Sequence, residues 1–440
     1  MVITQFLGIQ SLPDTAQNLF LRFTSLFVFS SFLFNLSTTF FILYAYSIIG
    51  IEAAGIVIAI RLAIQLIFDY PSGSLGDWIG QKWVFTLSLV CSAVYLYLLT
   101  IVDSFVDPFP MFVFIAVIWG FSDAQASGTL NSWFDSNYQL AIDNEDSERK
   151  IYGFGLNRTI SLSRIVMALA FIIGGFMATN FARQSVFLLQ SILCLVSILL
   201  VQTLMNDIQS DKKDTSKQSM KQYFSLFKGG ILFLFSSKKA FFFLMGIALI
   251  STCFIIWWEL ILFPVYFGYS GSDDLASLFR TIMFIIGIPI GIYMAKITQK
   301  ISTERVSFLY IIGILFYNVP FIILLSLLPP LDVFNIVGLA FTAFILTIAN
   351  NILLDVAGTL QGRAMIDLVP SENRNAVYSL IPSLFSLMGI PLLPITGSLI
   401  KNYGLNIGII IPFSVGFIGS LFILLSFIFK EKTLSQESDF

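Results

Sequence analysis

Between two apolar runs, residues 53–72 and 83–102, the chain reads Asp69-Tyr70-Pro71-Ser72-Gly73-Ser74-Leu75-Gly76-Asp77-Trp78-Ile79-Gly80-Gln81-Lys82. Glycines at 73, 76 and 80 let a backbone turn tightly beside a neighbouring helix. A carboxylate such as Asp77 can face the positive N-terminus of another helix. Lys82 anchors the turn on the side of the bilayer where cations collect. Elsewhere along the chain, short connections such as Asp103 to Pro108 and Pro329 to Asp332 between apolar runs suit antiparallel neighbours.

Of 440 residues, 57% are hydrophobic and 11% charged, against about 25% charged in soluble domains. Runs near the ~20 residues that a helix needs to cross a bilayer predict spans over 21–46, 53–72, 83–102, 110–135, 156–179, 184–204, 240–267, 276–297, 306–328, 335–362, 376–400 and 405–429. They alternate too little for a β-barrel. With the N-terminus inside, 18 of the 24 lysines and arginines fall in inner segments, among them Arg22, Lys82, Arg149, Arg363 and Arg374. The outer loops hold Arg183 and Lys401, and Arg61, Arg158, Arg164 and Arg280 fall within spans. This bias predicts a multi-pass protein with both termini cytoplasmic. The first cation is Arg22, so neither a leader nor a transit peptide is read, and insertion through the first span into the plasma membrane is expected.

The polar interruption from Asn206 to Lys239 carries seven lysines and separates six spans from six. The predicted organisation is an N-terminal bundle over 1–205, a cytoplasmic linker over 206–239 lying along an anionic leaflet, and a C-terminal bundle with a short tail over 240–440. Gly128-Thr129-Leu130 in the fourth span recurs as Gly358-Thr359-Leu360 in the tenth, as repeated halves would give.

Polar groups inside spans are functional candidates by default. Helical spacing puts Asp123, Ser127, Asn131 and Asp135 on one face of span four, and Asn351, Asp355, Thr359 and Arg363 on one face of span ten. Span one offers Ser31, Asn35, Thr38 and Thr39, and span five Asn157, Ser161 and Arg164. Asp123 and Arg164, at similar depth on consecutive helices, are expected to form an ion pair. Asp135 and Arg363 are expected to anchor or gate at the inner interface, and Arg280 to snorkel outward. Arg61 is either a substrate-facing cation or the partner of an acid on another helix. In Trp257-Trp258-Glu259, successive residues point about 100° apart, so they cannot all face one cavity, and at least one tryptophan is expected to anchor at the outer interface. Glu259, or second to it Asp355, is expected to carry a coupling proton.

Gly73, Leu75, Asp77, Gly80 and Lys82 match G-x-L-x-D-x-x-G-x-[RK], and the stretch resembles the inner-loop motif of the major facilitator superfamily. The acid-x-Pro-Ser-Gly beginning at Asp69 is similar to a common variant there. This resemblance implies an all-α membrane fold of twelve transmembrane helices in two six-helix pseudo-symmetric bundles, commonly monomeric, with a cavity lined by spans one, four, seven and ten. Asn35, Arg61, Asp123, Arg164, Trp258 and Asn351 are the cavity candidates. It also implies an inner gate of Asp69, Gly73, Asp77, Gly80 and Lys82 with Arg374, in which Asp77 meets the start of span eleven and an arginine of span four. Span four has no arginine here, and Trp78 and Gln81 stand at frequently basic positions. Span five has Ala170-Phe171 before Gly174-Gly175, where proton-coupled antiporters often have Gly-Pro. These departures weaken a drug/proton antiporter assignment.

The implied function is secondary transport of a small molecule by alternating access. The 47 phenylalanines and scarce cavity charges favour proton-coupled export of a hydrophobic or amphipathic compound. The competing readings are uptake of an anionic metabolite at Arg61 and Arg164, and a non-transporting sensor or scramblase of the same fold. No Walker-type loop is present, which argues against ATP drive. The absence of histidine and of a nucleophile–base cluster argues against an enzyme or metal site. No cofactor is expected, and no basic bias points to nucleic acid. Cys91, Cys194 and Cys253 lie in apolar runs and read as small hydrophobes.

Overall fold

A computed structural model of the chain describes residues 2–142, 146, 149–206, 228–369 and 374–429. Among them all regular structure is helical, and twelve helices are long and apolar enough to cross a bilayer. In order, the spans are Asp14–Asn35, Phe41–Asp69, Gln81–Ser104, Pro108–Ala141, Lys150–Phe181, Arg183–Leu204, Lys238–Ser270, Asp273–Thr298, Thr303–Leu327, Ile336–Leu368, Leu380–Tyr403 and Leu405–Ile428.

The first two spans depart from the sequence reading. An uninterrupted first span over 21–46 is replaced by a turn at residues 36–40. There the Thr38 hydroxyl donates to Asn35 O at 3.2 Å, and the Phe40 and Phe41 amides both donate to Ser37 O. Hydroxyl side chains offer the backbone partners of this local kind, and here they end the helix. Thr38 and Thr39 therefore leave the face they were expected to share with Ser31 and Asn35. Span two starts twelve residues earlier than predicted, at Phe41, and takes in Glu52. It is broken once, at Gly50, whose φ of 78° favours glycine.

The stretch at 69–82 is also less of a loop than its glycines suggest. The helix of span two continues to Ile79, and Gly80, with φ 92°, makes the whole reversal into span three. A Cβ at Gly76 would lie 2.5 Å from the side-chain amide nitrogen Nε2 of Gln81, so glycine there leaves room for that side chain. The side chains of Asp77 and Arg374 lie outside the described residues. Lys82 caps span six, its Nζ donating to Gln202 O at 2.8 Å and to Asn206 Oδ1 at 3.2 Å. Arg363 does the same for span eight, donating from Nη1 to Thr298 O at 2.8 Å. Both cations sit where the helix dipole is negative.

The chain divides into two compact units, Met1–Met220 with Ser272–Thr281, and Lys221–Gly271 with Ile282–Phe440. In the first, span one packs on five and six, and span three on four and six. In the second, seven packs on eleven and twelve, and nine on ten and twelve. The same pairings six spans apart are the structural form of the repeat. Gly128 and Gly358 differ in conformation, however. Gly128 is left-handed at a break in span four, whereas Gly358 lies within a regular helix.

Close helix approach depends on small residues, because lipid supplies no hydrophobic drive to push helices together. Gly246 and Gly419 face each other between spans seven and twelve, and a Cβ on either would come within 2.8 Å of the other's carbonyl oxygen. A Cβ at Gly120 would meet Arg61 O at 2.3 Å, which fixes span four against span two. At the start of span five, Phe20, Phe134, Tyr138 and Tyr152 pack as an aromatic cluster. Beneath it, Asp146 accepts from the Tyr138 hydroxyl at 2.8 Å and from the Ile151 and Tyr152 amides at 3.2 and 2.9 Å. Burial opposes ionisation of Asp146, yet the Tyr152 amide, the Tyr138 hydroxyl and the Ile151 and Lys150 amides together hold its carboxyl below the ordinary value.

Gly120→Ala is therefore expected to destabilise the protein by about 1–3 kcal/mol through overpacking against backbone, read as a lowered melting temperature in detergent. Gly153→Ala, with nothing within 4 Å of the added carbon, is the control and is expected to leave melting unchanged.

Candidate functional site

The close approach at Gly120 brings Arg61 of span two beside Asp123 of span four, with Nε 3.8 Å from Oδ2. The arginine side chain is 11% exposed and the aspartate 33%. The Arg61 guanidinium also lies 4.2 Å from the ring centre of Trp119, a cation–π contact. Tyr95 stacks on Trp119 and Phe41 meets it edge-on. Asp123 is thus paired with Arg61 and not, as expected, with Arg164. Span two packs directly against span four, and sequence spacing along span five carries no information about that contact. One helical turn from Asp123, Ser127 hydrogen-bonds Asp69.

Span four does not carry one continuous polar stripe. Its helix stops at Ala126 and restarts at Thr129, with Gly128 at φ 69° between. Ser127 and Asn131 are exposed on either side of the break, while Asp135 is held by Arg149 at 2.9 Å. Span five keeps its stripe, and Asn157, Ser161 and Arg164 are all exposed. Polar groups exposed at membrane depth face water or protein rather than hydrocarbon. Asn35 is the last residue of span one, and its Nδ2 donates to Ser31 O at 2.8 Å. Arg280 donates to the Thr38 and Thr39 hydroxyls at 2.7 and 2.6 Å.

In the second unit two spans change helix type. Trp257–Ile261 of span seven and Thr347–Leu354 of span ten are π-helical. The widened turn disturbs the regular backbone ladder, and such segments occur frequently at functional sites. Trp257 is fully buried and donates from Nε1 to Asn318 Oδ1 at 2.9 Å. Trp258 is 43% exposed, and Glu259 is half-buried in the same π turn. In span ten, Asn350 Nδ2 donates to Asn351 Oδ1 at 3.1 Å. A Cβ at Gly287 of span eight would lie 3.3 Å from Asn351 Nδ2, so Asn351 is walled in from that side. Asp355 follows the π segment directly and is exposed, as are Gly358 and Thr359 one turn on. The tryptophan, amide and carboxylate candidates were legible as residues. The π turns that hold them were not, and neither was Glu52, which had been read as loop.

Twelve helices long and apolar enough to cross a bilayer, in two units of repeated pairing, make a polytopic membrane protein. A family model described as the Major Facilitator Superfamily matches residues 20–366, and the chain belongs to that superfamily. It is a multi-pass membrane transporter, a class distinct from enzymes. Among solved structures it is similar in fold to the nucleoside transporter NupG, with a TM-score of 0.71 and 15% identity over 94% of this chain and 100% of that one. It is also similar to a D-xylose-proton symporter, with a TM-score of 0.63 and 14% identity over 92% of this chain and 97% of that one. A comparison with curated proteins gives no match.

If Arg61 and Asp123 are a structural pair, Asp123→Asn alone strands a charge and lowers stability by about 1–3 kcal/mol. Arg61→Gln combined with Asp123→Asn is expected to recover most of that loss in a melting experiment. A double variant no more stable than Asp123→Asn alone would show that the pair does not act as a unit.

Proposed function

We propose that the chain couples proton movement to transport of a small, polar, largely uncharged solute by alternating access. The observation that carries this reading is the π-helical backbone that holds Glu259 and leads into Asp355. A carboxylate within a span is costly unless it serves a function, and a π turn gives it backbone freedom to change partners as its proton comes and goes. Glu259 is assigned as the main proton carrier and Asp355 as the second. Trp258, Asn350 and Asn351 supply a ring face and amide groups of both hydrogen-bonding senses, which suits hydroxylated or heterocyclic solutes. The substrates named for the two similar structures, nucleosides and D-xylose, are of this kind.

Two alternatives lose ground on the same geometry. Of the two cations an anionic substrate was expected to use, Arg61 is engaged by Asp123 and Trp119, while Arg164 stands exposed on span five. The phenylalanine content that favoured export of a hydrophobic compound includes Phe114, Phe176, Phe308 and Phe341, each at least 55% exposed, as contact with lipid tails requires. The polar stripes favour a hydrogen-bonding solute. The inner-gate role of Asp69, Gly73, Asp77, Gly80, Lys82 and Arg374 remains part of the proposal, with Lys82 acting through its cap on span six.

The test is flux into liposomes under an imposed pH gradient, using labelled nucleosides and pentoses beside hydrophobic cations and organic anions. A gradient of about one pH unit supports up to about tenfold accumulation for one coupled proton. Glu259→Gln is expected to reduce that accumulation to about unity while exchange of solute for solute persists. Proton-driven accumulation unchanged in both Glu259→Gln and Asp355→Asn would overturn the assignment.

A further inference from the structure

Span five carries two exposed arginines on different faces. Arg164 shares the polar stripe of Asn157 and Ser161. Arg158 instead shares a side with Phe154, Ile165, Leu169, Ile172 and Phe176, which follow at helical spacing and are each between 44% and 58% exposed. That is the apolar face a span turns to lipid. Counting back from Phe181 the ~20 residues that cross the hydrocarbon reaches about residue 162. Arg158 therefore stands at the edge of the bilayer, one turn beyond the acyl chains, where lipid phosphates lie. By the lysine and arginine bias, this end of the span is expected inside.

The partners of Arg158 set it apart from the other cations in spans. Arg61 is paired with Asp123, and Arg280 donates to two hydroxyls. Among the described residues, Arg158 has ring partners only, its guanidinium lying 5.4 Å from the ring centre of Phe6 and 5.1 Å from that of Phe154. The rings fix the plane of the guanidinium and leave its five N–H donors for an acceptor that the protein does not supply. Phe6 belongs to a short helix, Val2–Leu7, which packs on span five. The chain then turns at Gly8, with φ 69°, where a Cβ would lie 2.5 Å from the Phe154 ring. Leu7 and Ile9 are fully buried, and Gln17 of span one donates from Nε2 to Leu12 O at 2.7 Å, which ties down the far end. Residues 2–12 hold no charge at all. Ile3 is 57% exposed and Phe6 42%, as suits a segment lying in the interface with its apolar side chains toward the lipid.

We propose that Arg158, Phe6 and Phe154 form a binding site for the phosphate of an anionic phospholipid, with residues 2–12 as the bracket that shapes it. A planar guanidinium matches two phosphate oxygens at once, and such charge-assisted contacts are strong and directional. The acyl chains of the same lipid run along the exposed Ile165, Leu169, Ile172 and Phe176. The preference for an anionic headgroup follows from the charges present. A zwitterionic headgroup brings a cation of its own, yet residues 2–12 hold no carboxylate to receive it, and both rings are already taken by the guanidinium. Neither the site nor its test involves movement of solute.

The experiment is thermal melting of the full chain in a neutral detergent, titrated with phosphatidylglycerol, phosphatidylcholine or inorganic phosphate. Phosphatidylglycerol is expected to raise the melting temperature of the parent protein with saturation, and to do so at lower concentration than phosphatidylcholine. Arg158→Gln is expected to raise the half-saturating concentration of phosphatidylglycerol about tenfold or more, the factor for losing a hydrogen-bonded charge. Arg158→Lys keeps the charge but loses the fork, and is expected to fall between the two. Phe6→Ala removes one ring and is expected to weaken the response in the same direction, with the phosphatidylcholine response unchanged in all three variants. Equal half-saturation by phosphatidylglycerol in the parent and Arg158→Gln would overturn the proposal. So would equal responses of the parent to the two lipids, or a shift of the same size from inorganic phosphate alone, which would make the ligand a free anion. Should Arg158→Gln fail to fold, unchanged half-saturation in both Arg158→Lys and Phe6→Ala overturns it equally.

Discussion

The contact between Arg61 and Asp123 is the point on which the first unit turns. A lone cation or carboxylate at membrane depth costs several kcal/mol, and the cost falls only when an opposite charge stands near it. Bringing the two together requires spans two and four to approach to backbone distance, which Gly120 permits against Arg61 O. Trp119 then offers its ring to the same guanidinium. Once span two is fixed in this way, Gly80 returns the chain into span three, Lys82 reaches the end of span six, and Ser127 meets Asp69. Charges that a transporter might have shown to its substrate are consumed in holding its helices.

The same accounting explains where the backbone is irregular. Helices in lipid must satisfy their own amides and carbonyls, so departures from the α-helix are tolerated where protein or water covers them. Span four breaks at Gly128 between exposed Ser127 and Asn131. Spans seven and ten become π-helical around Glu259 and before Asp355. Spans four, seven and ten are three of the four that the superfamily resemblance assigned to the substrate path. Irregular backbone and polar side chains therefore coincide, as expected if both serve solute passage.

Much of this was legible in the sequence. Apolar run length and the glycine–acid–lysine spacing at 69–82 led to twelve helices and the right superfamily, because bilayer thickness fixes element length almost independently of detail. Residue identity marked Glu259, Asn351 and Asp355 for the same reason, since polar groups are rare enough in spans to stand out. What failed was pairing and local geometry. Asp123 was matched to Arg164 by depth alone, whereas helix contacts are set by where a glycine lets two backbones meet. The turn at residues 36–40 hid inside an apolar run, because three hydroxyl residues weigh little in a hydropathy average, and Glu52 was misplaced as a result. A π turn inserts one residue into the helical count without a distinctive composition, so neither π segment left a signal.

The central claim is that exposed polar stripes at membrane depth, not the phenylalanine-rich surface, line the route of the solute. Its most direct test attaches a nitroxide at Asn131, Ser161 or Thr359, and in parallel at Phe176 or Phe341. Collision with a water-soluble nickel chelate is then compared with collision with oxygen, which partitions into lipid. The account predicts that the chelate dominates at the three polar positions and oxygen at the two phenylalanines. Oxygen dominating at all five would place the stripes against lipid and contradict it.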